Sequence, residues 1–262
     1  MSTNGRPVAV VTGASSGIGE ATARLLTARG WYCVLVARRE DRLAAIAGEL
    51  GCEWETCDVG DRDSVAALAA RIGERHEAIH LLLNNAGMPA RGTFVTVDLD
   101  LLERVTRVNY LGGVWCTRAL LPLLEAGSRT RSAHVVNLVS VAGTVAFAPA
   151  GAYSASKHAQ LAFSRSLAAA TRGSGVKVHA VLPGFVETEG FPQKGVLRSR
   201  LLSRFVIEPQ EVAAAILKTV ERNRAEITVP WFPYRFVTIL QALVPGLMAR
   251  FAGVSDYRRD SV

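Results

Sequence analysis

Residues 8–19 read Val-Ala-Val-Val-Thr-Gly-Ala-Ser-Ser-Gly-Ile-Gly, and this stretch decides the fold. The apolar, β-branched run Val8–Thr12 predicts a buried strand, and a helical pattern over residues 20–29 follows the glycines. Glycines let the backbone turn sharply and approach a pyrophosphate, whose charge is attracted by the free N–H groups at a helix start. Strand, glycine turn and helix therefore predict a phosphate-binding loop, although the spacing differs from the general Gly-x-Gly-x-x-Gly fingerprint.

A second strand, Tyr32–Ala37, is predicted next, and Arg38 and Arg39 stand at its end. In dinucleotide-binding folds an acidic residue at this point binds the ribose hydroxyls, whereas an arginine can accommodate a 2′-phosphate. Ala37 takes the place of the acidic residue, so NADP(H) is expected in preference to NAD(H). The alternative is that the two arginines only open a solvated helix, Glu40–Leu50.

The remaining chain repeats the alternation of strand and helix. Strands are predicted at 53–57, 79–83, 135–139, 176–182 and 226–230, and helices at 61–75, 98–127, 153–171 and 209–222. This alternation is typical of a parallel sheet with helices on both faces. We therefore expect one α/β domain over residues 1–230, with the extension 231–262 packed on the same domain.

Small and polar residues follow several predicted strands. Asp58 lies just beyond the third strand, where it would meet an adenine edge, and Asn84-Asn85-Ala86-Gly87 ends the fourth. Small residues at a strand's end permit close approach of a ligand or of neighbouring backbone. Because open α/β sheets bind ligands at the carboxyl ends of their strands, the sequence predicts a site at this edge.

Tyr153 and Lys157 stand four residues apart in an Ala-rich helical segment, so both project from one face. Free tyrosine has a pKa of about 10, and a cation within about 4 to 6 Å favours the phenolate, so we expect Lys157 to lower the pKa of Tyr153 towards neutrality. Ser140 follows the apolar run 135–139, at a strand's carboxyl end. The three residues predict an acid/base centre; the alternative is coincidence, because Tyr-x-x-x-Lys alone is a weak signal.

Two further features concern the site and its surroundings. Asn109 lies on an otherwise apolar segment and is either a structural hydrogen-bonder or a residue that holds water. The stretch 189–207 is interpreted as a substrate lid. Its apolar residues, among them Phe191, and Phe185 just before it favour an apolar ligand such as a lipid-derived, steroid-like or aromatic ketone or alcohol.

The tail beyond residue 230 is apolar. The 14 residues between Arg235 and Arg250 carry no charge, but about 20 are needed to span a bilayer. Three interpretations stay open: a cover over the pocket or a dimer contact, peripheral membrane contact through residues 231–253, and plain core. The first and third are favoured over the membrane.

Composition excludes several classes of protein. Apolar residues make up 49% and charged residues 20%, which predicts a globular chain. The net charge of +7 is scattered without a basic block, so nucleic-acid binding is not expected. The four cysteines lack metal-ligand spacing, which predicts no metal site and free thiols in a reducing compartment. Because the N-terminus lacks a signal-peptide pattern, we expect a cytoplasmic protein, with peripheral membrane association as the alternative.

Five motifs in order resemble those of the classical short-chain dehydrogenase/reductase family, over residues 7–230. Residues 12–19 resemble its cofactor loop, 84–87 its sheet-stabilising motif and 183–188 its nicotinamide-contacting segment, while its catalytic tetrad is matched by Asn109, Ser140, Tyr153 and Lys157. The resemblance implies a Rossmann sheet of seven parallel strands, in the order 3-2-1-4-5-6-7 with helices on both faces. It also implies a homodimer or homotetramer.

The activity implied by the resemblance is NAD(P)-dependent interconversion of a carbonyl and an alcohol. The implied substrate-binding residues are Ser140, Tyr153, Phe185 and Phe191. The implied cofactor-binding residues are Gly13, Ser15, Ser16, Gly17, Ile18, Gly19, Arg38, Arg39, Asp58, Val59, Asn85, Ala86, Gly87, Tyr153, Lys157, Pro183, Gly184, Val186 and Thr188.

The resemblance also assigns a role to each member of the tetrad. Tyr153 exchanges the proton of the substrate oxygen, Ser140 holds that oxygen, Lys157 lowers the Tyr153 pKa and binds the nicotinamide ribose, and Asn109 anchors a water between Lys157 and solvent. Because Ser16 stands where some NADP-preferring members carry a basic residue, 2′-phosphate recognition would rest on the two arginines and on hydroxyl groups. A non-catalytic NADP(H)-binding sensor or scaffold is the alternative function.

Overall fold

The computed structural model describes residues 5–192 and 202–246. Seven strands of the described chain, β1 to β7, comprise Val8–Thr12, Tyr32–Ala37, Glu53–Thr56, Leu81–Asn84, Ala133–Leu138, Val176–Pro183 and Glu226–Val229. They pair in parallel in the order β3-β2-β1-β4-β5-β6-β7. This confirms the predicted sheet and its strand order.

The helices within the described residues, α1 to α8, comprise Gly17–Ala28, Glu40–Leu50, Arg62–Arg75, Leu99–Thr106, Gly112–Ser128, Gly151–Ala170, Pro209–Glu221 and Tyr234–Leu243. Alternate residues of a strand point to opposite faces of the sheet. Ala9 and Val11 of β1 accordingly pack with α1, α2 and α7, whereas Val8 and Val10 pack with α3 and α5, beside which α6 also packs. Strands β1, β2, β4 and β5 are buried on both faces, as expected for a parallel sheet covered by helices, whereas the edge strands β3 and β7 are only partly buried.

The stretch 98–127, predicted as one helical segment, is divided by a π-helical turn, Arg107–Leu111, between α4 and α5. Such turns interrupt the regular hydrogen-bond ladder and are frequent at functional sites. The turn carries Asn109, which is buried. Apolar periodicity does not encode this local widening, so the sequence did not reveal it.

Strand β4 extends to Asn84, one residue beyond its predicted end. Asn84 stays buried because its amide Nδ2 donates to Asn137 Oδ1 at 2.9 Å and to Thr117 Oγ1 at 3.0 Å. Asn137 in turn donates to Ser164 Oγ at 3.1 Å. These bonds join β4, β5, α5 and α6 near the carboxyl edge of the sheet.

Helix α8 of the tail buries one side and exposes the other. Tyr234 and Thr238 are buried, whereas Phe236, Ile239 and Leu243 are exposed. Among the helices described, none has both the length and the apolar character required to cross a bilayer. Residues 193–201 of the predicted lid and 247–262 of the predicted tail lie outside the described residues.

The four cysteines are free thiols, as the sequence predicted. Cys33, Cys57 and Cys116 are buried, whereas Cys52 is half-buried.

Candidate active site

The glycine loop between β1 and α1 folds back tightly on itself. Gly13 has a φ of +67°, and a Cβ there would lie 2.6 Å from Asn85 Nδ2, so only glycine fits. A Cβ on Gly19 would lie 2.3 Å from the carbonyl oxygen of Gly13. Helix α1 therefore begins at the carboxyl edge of the sheet, where its N–H groups and dipole favour an anion.

Thr12 and Asn85 join the glycine loop to the residues that follow β4. Asn85 Nδ2 donates to the carbonyl oxygens of Thr12 at 2.8 Å and of Gly13 at 3.2 Å. The N–H groups of Asn85 and Ala86 donate to Thr12 Oγ1 at 3.0 and 3.1 Å. Two of the predicted cofactor-binding segments consequently lie side by side.

The two arginines that follow β2 lie beside the glycine loop. Arg39 donates from Nε and Nη2 to Ser15 Oγ at 3.2 and 3.0 Å, and from Nη2 to Ser16 Oγ at 2.7 Å. Arg38 is more exposed, and its Nη1 lies 3.9 Å from Asp58 Oδ2. Arg38 and Arg39 and the hydroxyl groups of Ser15 and Ser16 thus lie near the ends of β2 and β3. We call this group the arginine cluster.

Ile18 and Val59, also predicted to bind cofactor, are fixed by packing. Ile18 is partly buried against the core on one face of the sheet. Val59 is buried, and a Cβ on Gly112 would lie 2.7 Å from its carbonyl oxygen. Val59 therefore lies against the start of α5.

Helix α6 places Tyr153 against Ser140, which follows β5. The Ser140 hydroxyl interacts with the phenol and lowers its pKa, and Ser140 Oγ accepts the N–H of Ala142 at 3.1 Å. Burial raises the pKa of Tyr153 to about 12, more than Ser140 lowers it. The phenol is therefore protonated at neutral pH.

Lys157 lies one helical turn further along α6 and is buried. Its Nζ donates to Leu138 O and to Gln160 Oε1, both at 2.8 Å, and lies 5.9 Å from the ring centroid of Tyr153. Burial lowers the pKa of Lys157 to about 7. The expectation that Lys157 brings the pKa of Tyr153 down is therefore wrong for this arrangement, because burial raises that pKa and Ser140, not Lys157, is the group that lowers it.

Asn109 joins α6 to the residues after β4. Its Nδ2 donates to Met88 O at 3.0 Å and to Ser156 Oγ at 3.1 Å, while its Oδ1 accepts the N–H of Met88 at 2.8 Å. A Cβ on Gly87 would lie 3.4 Å from Asn109 Oδ1 and 3.9 Å from Lys157 Nζ. The side chain of Asn109 is thus a structural hydrogen-bonder, while its part in holding a water stays a prediction.

Residues 183–188 run from the end of β6 to the start of α1. Pro183 ends β6, and Val186 is buried and pairs with Ile207. A Cβ on Gly17 would lie 3.1 Å from the methyl group of Thr188. The segment therefore crosses over the start of α1.

Tyr234 of α8 holds this segment from the outside. A Cβ on Gly184 would lie 2.1 Å from Tyr234 Cε2, so the ring packs directly on the backbone there. The hydroxyl of Tyr234 accepts the N–H of Phe185 at 3.2 Å and donates to Phe205 O at 2.9 Å. The tail therefore contacts segment 183–188 through Tyr234, and this particular contact was not predicted from the sequence.

The two predicted substrate-binding phenylalanines have different surroundings. The ring centroid of Phe191 lies 5.7 Å from that of Tyr153. Phe185 instead packs edge-on against Tyr234, with 6.0 Å between ring centroids. The described contacts thus bring Phe191 to the tyrosine and turn Phe185 towards the tail helix.

Apolar side chains pack beside Tyr153 and lie exposed on neighbouring segments. The tyrosine packs on a cluster that includes Ala90, Val105 and Ala152. Phe94, which is exposed, lies over the start of α6, since a Cβ on Gly151 would be 2.7 Å from its ring. Val95, Leu99 and Phe147 are also exposed.

Two residues near the site, Gln160 and Glu189, were not predicted from the sequence. Gln160 accepts a hydrogen bond from Lys157, and its position three residues further along the same helix could have indicated this contact. Glu189 pairs with Arg39 and Arg42 across about 150 positions of sequence. No local sequence pattern predicts the ion pairs of Glu189, because they depend on how the segment after β6 crosses the glycine loop.

The arrangement can be compared with known proteins. Residues 7–195 match the sequence pattern of a family described as short chain dehydrogenase. The chain belongs to the short-chain dehydrogenase/reductase family. Members of this family are oxidoreductases, and this one acts on CH–OH groups with a nicotinamide dinucleotide.

Three relatives illustrate the similarity. A dehydrogenase/reductase SDR family protein 7-like of Anopheles gambiae is 32% identical, over 93% of this chain and 81% of its own. A short chain dehydrogenase/reductase of Burkholderia phymatum, solved with NAD, is 28% identical with a TM-score of 0.81, covering 94% of this chain and 96% of that one. An alcohol dehydrogenase of Thermococcus sibiricus, complexed with 5-hydroxy-NADP, is 27% identical with a TM-score of 0.75, covering 85% and 95%.

The residues of this short-chain dehydrogenase/reductase fit a nicotinamide dinucleotide. Side chains at Gly13 or Gly19 would fill the turn that leads into α1. The hydroxyl of Ser16 does not cap α1 but accepts a hydrogen bond from Arg39. The helix start and the arginine cluster therefore present cationic or N–H groups to phosphates at two neighbouring points.

Proposed function

We propose that this enzyme interconverts a carbonyl and an alcohol on a lipophilic substrate, prefers NADP(H) to NAD(H), and uses Tyr153 as its acid/base. The observation that carries the proposal is the contact between the Tyr153 and Ser140 hydroxyls, one helical turn from buried Lys157. Bound NADPH would supply the hydride for carbonyl reduction and bound NADP⁺ would accept it in alcohol oxidation, while the protein supplies orientation and electrostatics.

The cofactor would be held by four parts of the site. The glycine loop and the arginine cluster would bind its phosphates, the residues after β4 would lie beneath it, and segment 183–188 would cover it. The residues in these roles are those the family resemblance implies, from Gly13 to Thr188.

Tyr153 and Ser140 would both act on the substrate oxygen. Ser140 would donate a hydrogen bond to that oxygen and stabilise the charge that develops there. Because burial raises the pKa of Tyr153 to about 12, the phenol is protonated at neutral pH and is ready to give its proton to a carbonyl oxygen. This protonation state favours the direction of carbonyl reduction.

Lys157 and Asn109 would support this proton transfer. A pKa of about 7 leaves Lys157 able both to hold and to release a proton near neutrality. Its bonds to Leu138 O and Gln160 Oε1 fix its position, and we assign it the ribose hydroxyls as further partners. Asn109 holds Met88 and Ser156 on either side and would anchor the water that carries protons to solvent.

The NADP(H) preference is supported by the residues that follow β2. Ala37 offers no carboxylate to ribose hydroxyls, and Arg39 already contacts Ser15 and Ser16 of the glycine loop. A guanidinium with two hydroxyls beside it suits a 2′-phosphate. A lower dissociation constant for NADPH than for NADH would support the preference, and the reverse order would remove it.

A lipophilic substrate is supported by the apolar residues near Tyr153. Phe191 stacks obliquely beside the tyrosine, and exposed Phe94 lies over the start of the same helix. Activity towards ketones and alcohols of graded hydrophobicity should rise with apolar surface, through KM rather than kcat. We also propose, from the family, that the enzyme assembles as a homodimer or homotetramer, which light scattering on the purified chain would test.

The decisive experiment replaces Tyr153 by Phe. The variant keeps the ring and its packing but loses the exchangeable proton, so turnover should fall by about 10²-fold or more while NADPH still binds. Phe191→Leu is the matched control, since it alters the neighbouring ring and should change KM with little loss of kcat. Turnover retained in Tyr153→Phe would remove Tyr153 as the acid/base. Cofactor binding by the wild type without turnover on any substrate of the panel would favour a sensor or scaffold instead.

A further inference from the structure

Glu189 ties the end of the segment after β6 to the arginines that follow β2. Its Oε1 lies 3.1 Å from Arg39 Nη1, and its Oε2 forms a close ion pair with Arg42 Nη1. The preceding residue, Thr188, lies over Gly17 of the glycine loop. The carboxylate therefore reaches the loop from the other side of the predicted cofactor site.

Arg39 is shared between this carboxylate and the glycine loop. Its Nε and Nη2 are turned to Ser15 and Ser16, whereas its Nη1 is turned to Glu189. An arginine fork binds a carboxylate and a phosphate with the same donors. A 2′-phosphate that approaches Arg39 therefore meets a carboxylate that already occupies part of the fork.

We propose that Glu189 is a cofactor-selectivity residue whose carboxylate competes with the 2′-phosphate of NADP(H) for Arg39 and Arg42. This inference rests on the proposed function, because it requires the arginine cluster to be the 2′-phosphate site. Glu189 weakens the binding of NADP(H) and leaves NAD(H) nearly unaffected, since NAD(H) carries no phosphate at that position. The enzyme's preference for NADP(H) is consequently smaller than its arginines alone would give.

The size of the effect follows from the exposure of the pair. Glu189 and both arginines are about half exposed, so water and salt screen their attraction. Exposed ion pairs are weak, so the need to displace one lowers the affinity of an incoming anion only modestly. We expect removal of the charge to tighten binding of a 2′-phosphate about three- to tenfold at low salt.

Glu189→Gln tests the proposal, because it removes the charge and keeps the size and an amide oxygen that can accept from arginine. Binding is measured by fluorescence titration with NADPH and NADH, and by displacement with 2′,5′-ADP and 5′-AMP, which differ by one 2′-phosphate. The expected result is tighter binding of NADPH and 2′,5′-ADP, with NADH and 5′-AMP unchanged within twofold. Glu221→Gln removes a carboxylate that is paired with Arg29 at the other end of α1, and it should leave the affinities for all four ligands unchanged.

A salt titration distinguishes an effect of the Glu189 charge from an effect of its position. If the carboxylate acts through its charge, the difference between wild type and Glu189→Gln should shrink as KCl rises from about 50 to 500 mM. If Glu189 instead holds Arg39 in place for the phosphate, the variant should bind NADPH more weakly, and this inference is overturned. Equal changes for both cofactors, or a gap that persists at high salt, overturn it as well.

The two proposals fail in different ways. A wild type that binds neither NADPH nor NADH contradicts the proposed function, and the selectivity role falls with it. A wild type that binds both, with no selective change in Glu189→Gln, removes only the role of Glu189.

Discussion

At the residue scale, burial governs the protonation of the two residues proposed to transfer protons. Tyr153 is partly buried and Lys157 is buried, and burial moves their pKa values in opposite directions, up for the phenol and down for the amine. A sequence gives the spacing of the two groups but not their burial. For this reason the spacing of the two groups could be predicted, whereas the direction of the Tyr153 pKa shift could not.

The low pKa of Lys157 predicts a pH-dependent stability. The folded-state pKa is about 7, below the value of about 10.4 expected of an unfolded lysine, so the unfolded chain holds more protons between these values. The free energy of unfolding should therefore rise with pH in this window, by about 2 kcal/mol between pH 7 and 9. Below about pH 6 both states are protonated and the contribution of Lys157 stays constant.

The measurement compares wild type with Lys157→Met by urea unfolding at several pH values, because other titrations cancel in the difference. The wild type should gain stability over the variant from pH 7 to pH 9. Lys218→Met changes an exposed lysine of α7 and should give a flat difference. A flat difference for Lys157→Met as well would mean that its amine keeps its proton in the fold.

At the element scale, the glycine loop predicts a contrast between two substitutions. A Cβ on Gly19 would lie 2.3 Å from Gly13 O, a backbone atom that cannot move without disturbing β1. Gly19→Ala should therefore lower the melting temperature and weaken cofactor binding by about 10-fold or more. Gly48→Ala, inside α2 where nothing lies within 4 Å of the added methyl, should stabilise the protein by about 0.5 to 1 kcal/mol.

Thermal unfolding and NADPH titration of both variants check this contrast. If Gly19→Ala were as stable and bound NADPH as tightly as the wild type, the tight turn would not be what holds the cofactor loop. A stabilising Gly48→Ala alongside a destabilised Gly19→Ala would locate the effect in the loop rather than in glycine replacement as such.

The secondary-structure elements show which features a local sequence pattern can predict. The bounds of α2 were predicted without error, since apolar spacing and the glycine at residue 51 mark both its face and its end. The π-helical turn at Asn109 and the contact of Tyr234 with Gly184 were not predicted, because both depend on packing between distant segments. The candidate site was found from its motifs, whereas the pair that joins Glu189 to Arg39 needed the fold.

At the scale of the whole molecule, two buried histidines join the last strands of the sheet. His179 Nδ1 lies 2.7 Å from Arg224 O, to which only an N–H can donate, so its Nε2 accepts from His134 Nδ1 at 2.9 Å. The pair therefore links β5, β6 and the turn that leads into β7. Burial lowers the pKa of both histidines, that of His134 to about 4.

This pair predicts loss of stability in mild acid. An unfolded histidine has a pKa of about 6.5, so the unfolded chain binds more protons than the folded one between pH 6.5 and about 4. The stability is fully present above pH 6.5 and is lost as the pH falls, by about 2 kcal/mol between pH 7 and 5 for His134. His134→Gln, which keeps an amide donor, should show a shallower loss over this range than the wild type. His158→Gln, at an exposed position of α6, should keep the wild-type slope, and the same slope in all three proteins would show that the sheet's acid sensitivity has another source.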